Sequence, residues 1–227
     1  MVQIYSIQTK EEALACVAAG ADRIGVAVAT GSNLPAEVSM ETCREIFDAV
    51  KDRAQTVLII VSNSDEEIYA PLQELRPNVL HICGYAFSAT PEFAKKVKAI
   101  SPNTRLLQAI AVDGPAAIAR AKGFAGFCDE LILDSVDPAI AGIGAAGITH
   151  DWSISAKIVQ SVDCPVILAG GLCVENVAEA IARVRPWGVD SFTKTSDTFP
   201  DGSSRKNLAK VAAFVENANA AFAQLTK

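Results

Sequence analysis

The chain alternates short apolar runs with segments in which apolar residues recur at helical spacing. The apolar runs cover residues 2–7, 23–28, 56–61, 79–83, 105–111, 128–133, 165–169 and 187–192. Because these runs are almost continuously apolar, they are typical of parallel strands that are covered on both faces. The pattern therefore predicts about eight strands, each followed by a helix.

Several of the predicted helices have recognisable ends. Thr9 and Ser39 are expected to cap the first two helices, and Gly20 to end the first. The inner face of the second helix is predicted to consist of Cys43, Ile46, Phe47 and Val50. Further helices are expected at residues 64–75, 91–100, 114–122, 151–162 and 207–225 and after the run at 165–169, with a loop at 31–35 and an irregular segment rich in Gly and Ala at 134–150.

The order of these elements predicts a (β/α)₈ barrel, also called a TIM barrel. A length of 227 residues suits one such domain, and no composition shift or linker marks a boundary, so we expect a single domain over residues 1–227. A doubly wound open sheet is the alternative, and the count of about eight units rather than five or six weakens it.

Composition and charge narrow the function classes. Hydrophobic residues make up 50% of the chain and charged residues 20%, which suits a buried core and argues against disorder. The formal net charge of −6 argues against nucleic acid or an anionic membrane as a partner, although a local basic pocket remains open. The start of the chain lacks the features of a signal peptide and no apolar run could span a membrane, so we expect a cytoplasmic protein.

The six cysteines contain no C-x-x-C pair. In a chain of this size without a signal peptide, they are typical of reduced core residues rather than of a disulfide framework or a zinc site. We expect neither a metal nor a cofactor.

Active sites of such barrels lie at the C-terminal ends of the strands, and phosphate often binds at the loops after strands seven and eight. Gly170 and Gly171 follow the seventh run, and the segment that follows the eighth contains Asp190, Thr193, Lys194 and Thr195. Backbone N–H groups of a glycine turn and of the following helix can bind an anion. We therefore expect a phosphate site here, although the glycine pair alone would also suit a plain tight turn.

Asp134 follows the sixth run directly. A carboxylate that leaves an apolar strand at the barrel mouth can be a general acid or base with a raised pKa, and the alternative is a loop cap that bonds Ser135. His81 and Cys83 alternate on one strand and share a face, but they are too few for a metal site and a packed pair suits them better. His150 is a candidate for substrate binding in a loop where most histidines have no specific role.

Lys194 has three open interpretations. A lysine at a barrel mouth can form a Schiff base if burial lowers its pKa, it can balance the charge of a phosphate, or it can be a solvated loop residue. Its neighbours Ser191, Thr193, Thr195 and Ser196 favour phosphate binding.

Over nearly its whole length the chain resembles the phosphoribosylanthranilate isomerase family, the barrel enzymes of tryptophan biosynthesis. The family's opening strand of the type K-I-C-G-I and its segment E-D-A-L-x-A-x-x-A-G-A-D-x-x-G match residues 3–7 and 11–25. Its L-L-D-S matches residues 132–135, and its Gly-rich loop ending in F-D-W matches residues 142–152. Its P-V-I-L-A-G-G-L-x-P-E-N-V is nearly intact at residues 165–177.

The resemblance implies specific roles and also shows departures. In the family, a cysteine after strand one is the general base and an aspartate after strand six the general acid of an Amadori rearrangement. Asp134 matches the acid, whereas Tyr5 stands at the cysteine position. The family's Q-L-H-G corresponds to residues 81–84 and its phosphate segment D-V-S-S-G-V-E to residues 190–196. Residues 30–34 match the segment that holds the arginine for the anthranilate carboxylate, and they contain no arginine.

These departures predict a divergent family member. The first expectation is an isomerase of a phosphorylated sugar or aminosugar, with Asp134 moving the proton and with Tyr5 as a base only if a nearby cation lowers its pKa of about 10. The alternatives are a Schiff-base lyase or aldolase that uses Lys194 and a non-catalytic protein that binds a phosphorylated metabolite. We expect a phosphorylated small molecule as ligand, no nucleic acid and no membrane, and we leave a homodimer open.

Overall fold

The computed structural model describes residues 1–29, 36–62, 64–84, 87–137, 139 and 143–225. Within these residues, eight parallel strands close into a barrel in chain order, and the first strand pairs with both the second and the eighth. Strands β1 to β8 are Val2–Ile4, Arg23–Ala27, Gln55–Ile60, Val79–Ile82, Arg105–Ala111, Glu130–Asp134, Val166–Leu168 and Gly188–Ser191. The predicted TIM barrel is confirmed, and the closed order excludes the open sheet.

Helices alternate with these strands on the outside of the barrel. Helices α1 to α8 are Lys10–Ala18, Met40–Val50, Glu66–Leu75, Pro91–Ile100, Ala116–Ala125, Trp152–Val159, Val177–Val184 and Leu208–Leu225. The predicted caps are present, because the hydroxyls of Thr9 and Ser39 accept hydrogen bonds from the backbone N–H groups of Glu12 (3.2 Å) and Thr42 (3.1 Å). The buried face of α2 is the predicted one. No described helix is long and apolar enough to cross a membrane.

The strands separate two apolar clusters. Along β3, Leu58 and Ile60 pack outward against the helices, whereas Val57 and Ile59 belong to the cluster inside the barrel. The same alternation turns Val79 and Cys83 inward, and the intervening His81 lines a cavity with Cys83. The predicted shared face of His81 and Cys83 is thus present, and it faces the barrel interior.

Several boundaries differ from the predicted ones, among them the end of β1 and the start of α3. β1 ends at Ile4, because Ser6 adopts φ 59°, a left-handed conformation that cannot continue a strand. α3 begins at Glu66 rather than near residue 64. The predicted loop 31–35, the arginine-lacking segment 30–34 and part of the glycine-rich segment lie outside the described residues.

An antiparallel hairpin follows β8, and the sequence pattern did not predict it. A 3₁₀ turn at Thr193–Thr195 leads into β9 (Ser196–Thr198), which pairs with β10 (Ser204–Lys206). The signal is the pair Asp201-Gly202 between two short runs, with Gly202 at φ 84°. This hairpin leads directly into α8 and places Lys206 behind the mouth of the barrel.

Candidate active site

Asp134 ends β6 at the C-terminal mouth of the barrel and is half-buried. Burial raises the pKa of its carboxyl from 3.8 to about 7, although the Ser135 N–H donates a hydrogen bond (2.8 Å) that acts in the opposite direction. The hydrogen bond from Ser135 is the one expected if Asp134 caps the loop. It coexists with the raised pKa, so Asp134 can both give and take a proton near neutral pH.

A second carboxyl group, that of Asp190, lies at the end of β8. Its Oδ1 accepts a hydrogen bond from the Gln3 side chain (3.2 Å). Burial, followed by the negative charge of Asp134, raises the pKa of Asp190 well above its usual range. Asp134 and Asp190 line the same two cavities, so the two carboxyl groups titrate as a pair.

Tyr5 and His81 lie deeper, with ring centroids 5.4 Å apart. The Tyr5 ring packs flat against Gly25, where any Cβ would collide with it. Burial raises the pKa of Tyr5 well above 10 and lowers that of His81 to about 3, so both are neutral at pH 7. Burial likewise raises the pKa of Cys83 to about 12. None of the three is a base at neutral pH.

In the glycine turn after β7, two backbone carbonyls accept hydrogen bonds from side chains of the protein. Asn176 Nδ2 donates to the Gly171 carbonyl (3.1 Å), and Ser191 Oγ donates to the Leu172 carbonyl (2.9 Å). Because a trans peptide holds its C=O and the following N–H in opposite directions, the Leu172 N–H points away from Asn176, whereas the Cys173 N–H donates to Asn176 Oδ1 (2.8 Å). Gly170 and Gly171 have φ of 81° and 61°, which favours glycine at both positions.

The turn after β8 has the same arrangement. The Phe192 carbonyl accepts hydrogen bonds from Thr195 Oγ1 (3.1 Å), Ser196 Oγ (2.8 Å) and Lys206 Nζ (3.1 Å). The N–H of Thr193 therefore points to the opposite side, and Thr193, Gly170 and Gly171 line one small cavity with Asp134 and Asp190.

The loop between β6 and α6 covers this cavity. A Cβ at Gly147 would meet Thr193 Oγ1 at 2.7 Å, and one at Gly171 would meet the Ile148 carbonyl carbon at 2.7 Å. A Cβ at Gly144 would collide with the Asp134 carboxyl. The glycines thus permit the loop to lie directly on both turns and on Asp134.

The remaining predicted site residues lie around the cavity rather than in it. Lys194 is exposed, and the Thr195 hydroxyl donates within its own turn. His150 shares a hydrogen bond with Ser155 Oγ (2.8 Å), lies against Gly170, and has its pKa lowered to about 4 by burial. The structure therefore brings Asp134, Tyr5, His81, Gly170, Gly171, Asp190 and Thr193 together and leaves Lys194, Thr195 and His150 outside the lining.

Lys206 is a cation that the sequence pattern did not single out. Its Nζ donates to the Phe192 carbonyl and to Ser196 Oγ (3.0 Å) and lies 4.9 Å from the centre of the Phe192 ring. Burial lowers its pKa to about 8, and it forms no salt bridge within the described part of the chain. Lys206 reaches this position because it lies in β10 of the hairpin that was not predicted. Its spacing along the sequence therefore did not indicate a role at the site.

Among the described residues, no group of three or more His, Cys, Asp or Glu side chains could hold a metal ion. The described residues of the site offer the carboxyl groups of Asp134 and Asp190, neutral polar side chains and backbone N–H groups.

The chain matches the family model described as N-(5'-phosphoribosyl)anthranilate (PRA) isomerase over residues 2–217. It is 34% identical over 215 residues to the N-(5'-phosphoribosyl)anthranilate isomerase of Methanocella arvoryzae, covering 95% of this chain and 96% of that protein. It is 33% identical over 217 residues to N-(5'-phosphoribosyl)anthranilate isomerase 2 of Methanosarcina mazei, covering 96% and 93%. The crystal structure of the isomerase from Thermotoga maritima has a TM-score of 0.78 at 27% identity and covers 96% of this chain and 98% of that one.

Proposed function

This chain belongs to the family of N-(5'-phosphoribosyl)anthranilate isomerases, and we propose that it is an aldose–ketose isomerase of a phosphorylated sugar or aminosugar in which Asp134 transfers the proton. The observation that carries the proposal is the Asp134 carboxyl at the barrel mouth with a pKa of about 7. A group that is half protonated near neutral pH can remove a proton from one carbon and return it to the next.

Phosphate binding is proposed at the turns after β7 and β8. It is supported by the carbonyls of Gly171 and Phe192, which bond to the protein, so that the following N–H groups of Leu172 and Thr193 point to the other side. The half-buried Lys206 adds positive potential behind Phe192. Lys194 remains a candidate for a direct contact with phosphate through its backbone N–H or its side chain.

We propose that phosphoribosylanthranilate itself is a poor substrate, in contrast to what the names of the relatives say of them. Tyr5 at the position of the family's cysteine has its pKa raised by burial, so it cannot act as a base at neutral pH. The segment that would supply the arginine for the anthranilate carboxylate has none. Tyr5 is therefore proposed as a neutral hydrogen-bonding group.

Two other functions, a Schiff-base lyase and a non-catalytic binding protein, are disfavoured. Lys194 is exposed, whereas a Schiff-base lysine needs a buried site that favours its neutral form. Lys206 is half-buried, but its Nζ already donates to the Phe192 carbonyl and to Ser196 Oγ. A non-catalytic binding protein would leave the raised pKa of Asp134 without a use, and turnover by the purified protein would exclude this alternative.

The domain is proposed to include the whole chain, 1–227. α8 packs against α1, α7 and β1, which supports one folding unit from the first strand to the last helix.

The test is steady-state turnover of phosphoribosylanthranilate and of a panel of phosphosugars. Asp134→Asn should lower kcat by about 10²–10⁴-fold on any substrate that the wild type converts. The matched control is Asp113→Asn, because Asp113 is an exposed carboxylate that follows the neighbouring strand and pairs with Arg120. Equal rates for wild type and Asp134→Asn would refute the assignment.

A further inference from the structure

The inner end of the mouth contains three buried polar atoms without a partner. Within the described part of the chain, Tyr5 Oη, His81 Nδ1 and His81 Nε2 make no hydrogen bond. Tyr5 is 6% exposed and His81 4%. An unsatisfied buried polar group costs about 1–3 kcal/mol, so three in one place indicate that something outside the protein hydrogen-bonds to them.

The chemistry of these atoms defines a complementary ligand. A neutral tyrosine and a neutral histidine each offer one donor and at least one acceptor. Hydroxyl and carbonyl oxygens match such a mixed set, because a hydroxyl both donates and accepts. The walls beside them, Ala27 and Ile59, are apolar and suit a short carbon chain.

The charge of the described lining disfavours an aromatic acid as ligand. The described residues that line it include Asp134 and Asp190 but no lysine or arginine. Among these described lining residues, an anthranilate carboxylate would find no cation to pair with beside Asp134. An arginine at the same end of the barrel, Arg120, already donates to the Ala111 carbonyl (2.6 Å) and to the Asp113 carboxylate in a separate cleft.

The size of the cavity also suits a sugar. Its volume of about 50 Å³ is well below the roughly 150 Å³ of an engineered cavity that binds benzene. It has room for the short carbon chain of a sugar.

We infer that the Tyr5–His81 subsite binds the aldehyde end of an unsubstituted aldose phosphate and determines the specificity of the enzyme for such a sugar. This inference rests on the proposed isomerase function of the same mouth. Phosphate binds at the turns after β7 and β8, and the carbonyl at C1 lies against Tyr5 Oη and the N–H of His81.

The reaction then balances within the substrate. The Asp134 carboxylate removes the proton from C2, the electron pair forms the C1–C2 double bond, and the C1 oxygen becomes negative while Tyr5 and His81 donate to it. The hydroxyl proton on the C2 oxygen passes to the C1 oxygen, and Asp134 returns its proton to C1 as the C2 carbonyl forms. No oxidant, reductant or second substrate is consumed.

The experiment compares kcat/KM for glyceraldehyde 3-phosphate, erythrose 4-phosphate, ribose 5-phosphate and phosphoribosylanthranilate, with wild type, Tyr5→Phe, His81→Phe and Asp134→Asn. At least one aldose phosphate should exceed phosphoribosylanthranilate by more than about 10²-fold. Tyr5→Phe should lower kcat on that sugar by about 10²-fold, the usual loss for one oxyanion donor, and leave the affinity for inorganic phosphate unchanged. Tyr69→Phe, on α3, is the matched control.

Thermal stability distinguishes the proposed subsite from a purely structural role of Tyr5. Because Tyr5→Phe removes an unpaired hydroxyl, the free variant should melt about 2–4 °C higher than wild type and gain less from added substrate analogue. A variant that melts lower, with unchanged kcat, overturns the subsite.

Failure of this inference and failure of the proposed function give different results. If phosphoribosylanthranilate is the best substrate and Asp134→Asn abolishes its turnover, the subsite is wrong and the isomerase proposal stands. If an aldose phosphate is converted equally well by Asp134→Asn, the proposed role of Asp134 is wrong. If no member of the panel is converted, both are wrong.

Discussion

Burial disfavours the charged form of every titratable side chain at the mouth, with different results for Asp134 than for Tyr5 and His81. It raises the pKa of Asp134 to about 7, into the range where proton transfer is useful, and it keeps Tyr5 and His81 uncharged at pH 7. One physical cause thus sets both the proton-transfer group and the hydrogen-bonding groups that surround it.

Activity should depend on pH through Asp134. With a free aldose phosphate as substrate, the reaction starts with the carboxylate, so kcat/KM should rise with pH through an apparent pKa near 7 and then reach a plateau. A pH–rate profile from pH 5 to pH 9 measures this. A rate that falls above pH 7 would mean that the protonated acid starts the reaction, as a glycosylamine substrate requires.

Stability should depend on pH through the same carboxyl. The pKa of Asp134 is raised from 3.8 in the unfolded chain to about 7 in the folded one, so the folded state binds the proton more tightly between these values. Its contribution to stability is therefore present below about pH 4 and is lost as the pH rises through 7. Asp134→Asn should gain in Tm relative to wild type from pH 5 to pH 8, and a constant difference would contradict the raised pKa.

Two lysines near the phosphate turns offer a direct comparison. Lys206 is half-buried and bonded to the Phe192 carbonyl, whereas Lys194 is exposed. Lys206→Met should weaken the binding of inorganic phosphate by about tenfold, because a charged hydrogen bond that orients the turn is lost. Lys194→Met should have a smaller effect in the same calorimetric titration. The reverse order would restore Lys194 as the principal phosphate cation.

At the scale of elements, the glycines connect three loops into one cavity. Gly171 has φ 61°, and a Cβ there would meet Ile148 and the Gly147 carbonyl oxygen, whereas Gly202 has φ 84° with nothing within 4 Å. Gly171→Ala should therefore weaken phosphate binding by more than about tenfold, while Gly202→Ala, with similar backbone strain but no collision, should not. Equal affinities of the two variants for inorganic phosphate would show that the loop contact is irrelevant to binding.

The elements also show what the sequence could predict. The strand order, the caps at Thr9 and Ser39 and the buried face of α2 follow from local patterns, and the structure confirms them. The end of β1 and the hairpin after β8 depend on a left-handed Ser6 and on pairing across the turn around Gly202, which no periodicity records. Lys206 was missed for the same reason, since its position depends on that hairpin.

At the scale of the molecule, barrel closure determines which side chains meet. Asp134 and Asp190 are separated by a whole βα unit in sequence and yet line one cavity, because β6 and β8 flank β7. Spacing placed both residues at the mouth, but their mutual repulsion and the unpaired atoms of Tyr5 and His81 depend on distances that only the closed barrel fixes.

The opposite end of the barrel has an ion-pair network that should support stability without affecting activity. Arg23, at the start of β2, donates to both carboxylate oxygens of Glu130 at the start of β6 (2.6 and 2.8 Å) and to Gln55 (2.9 Å), and Arg23 and Glu130 are almost completely buried. Removing one member leaves a buried charge unpaired, so Glu130→Gln should lower the free energy of unfolding by about 3–5 kcal/mol.

Replacing both Arg23 and Glu130 separates the cost of an unpaired buried charge from the cost of changed packing. The double variant Arg23→Met, Glu130→Leu removes both buried charges and should recover most of the loss, because a buried ion pair is often no more stabilising than apolar residues of similar size. Arg105, which also pairs with Glu130, is partly exposed and keeps its hydrogen bond to Gln55 (2.7 Å). Chemical denaturation measures these free energies, and kcat/KM of each folded variant should stay close to wild type, since the network lies at the end of the barrel away from the mouth. A large fall in kcat/KM in the double variant, with its stability restored, would mean that the two ends of the barrel are coupled.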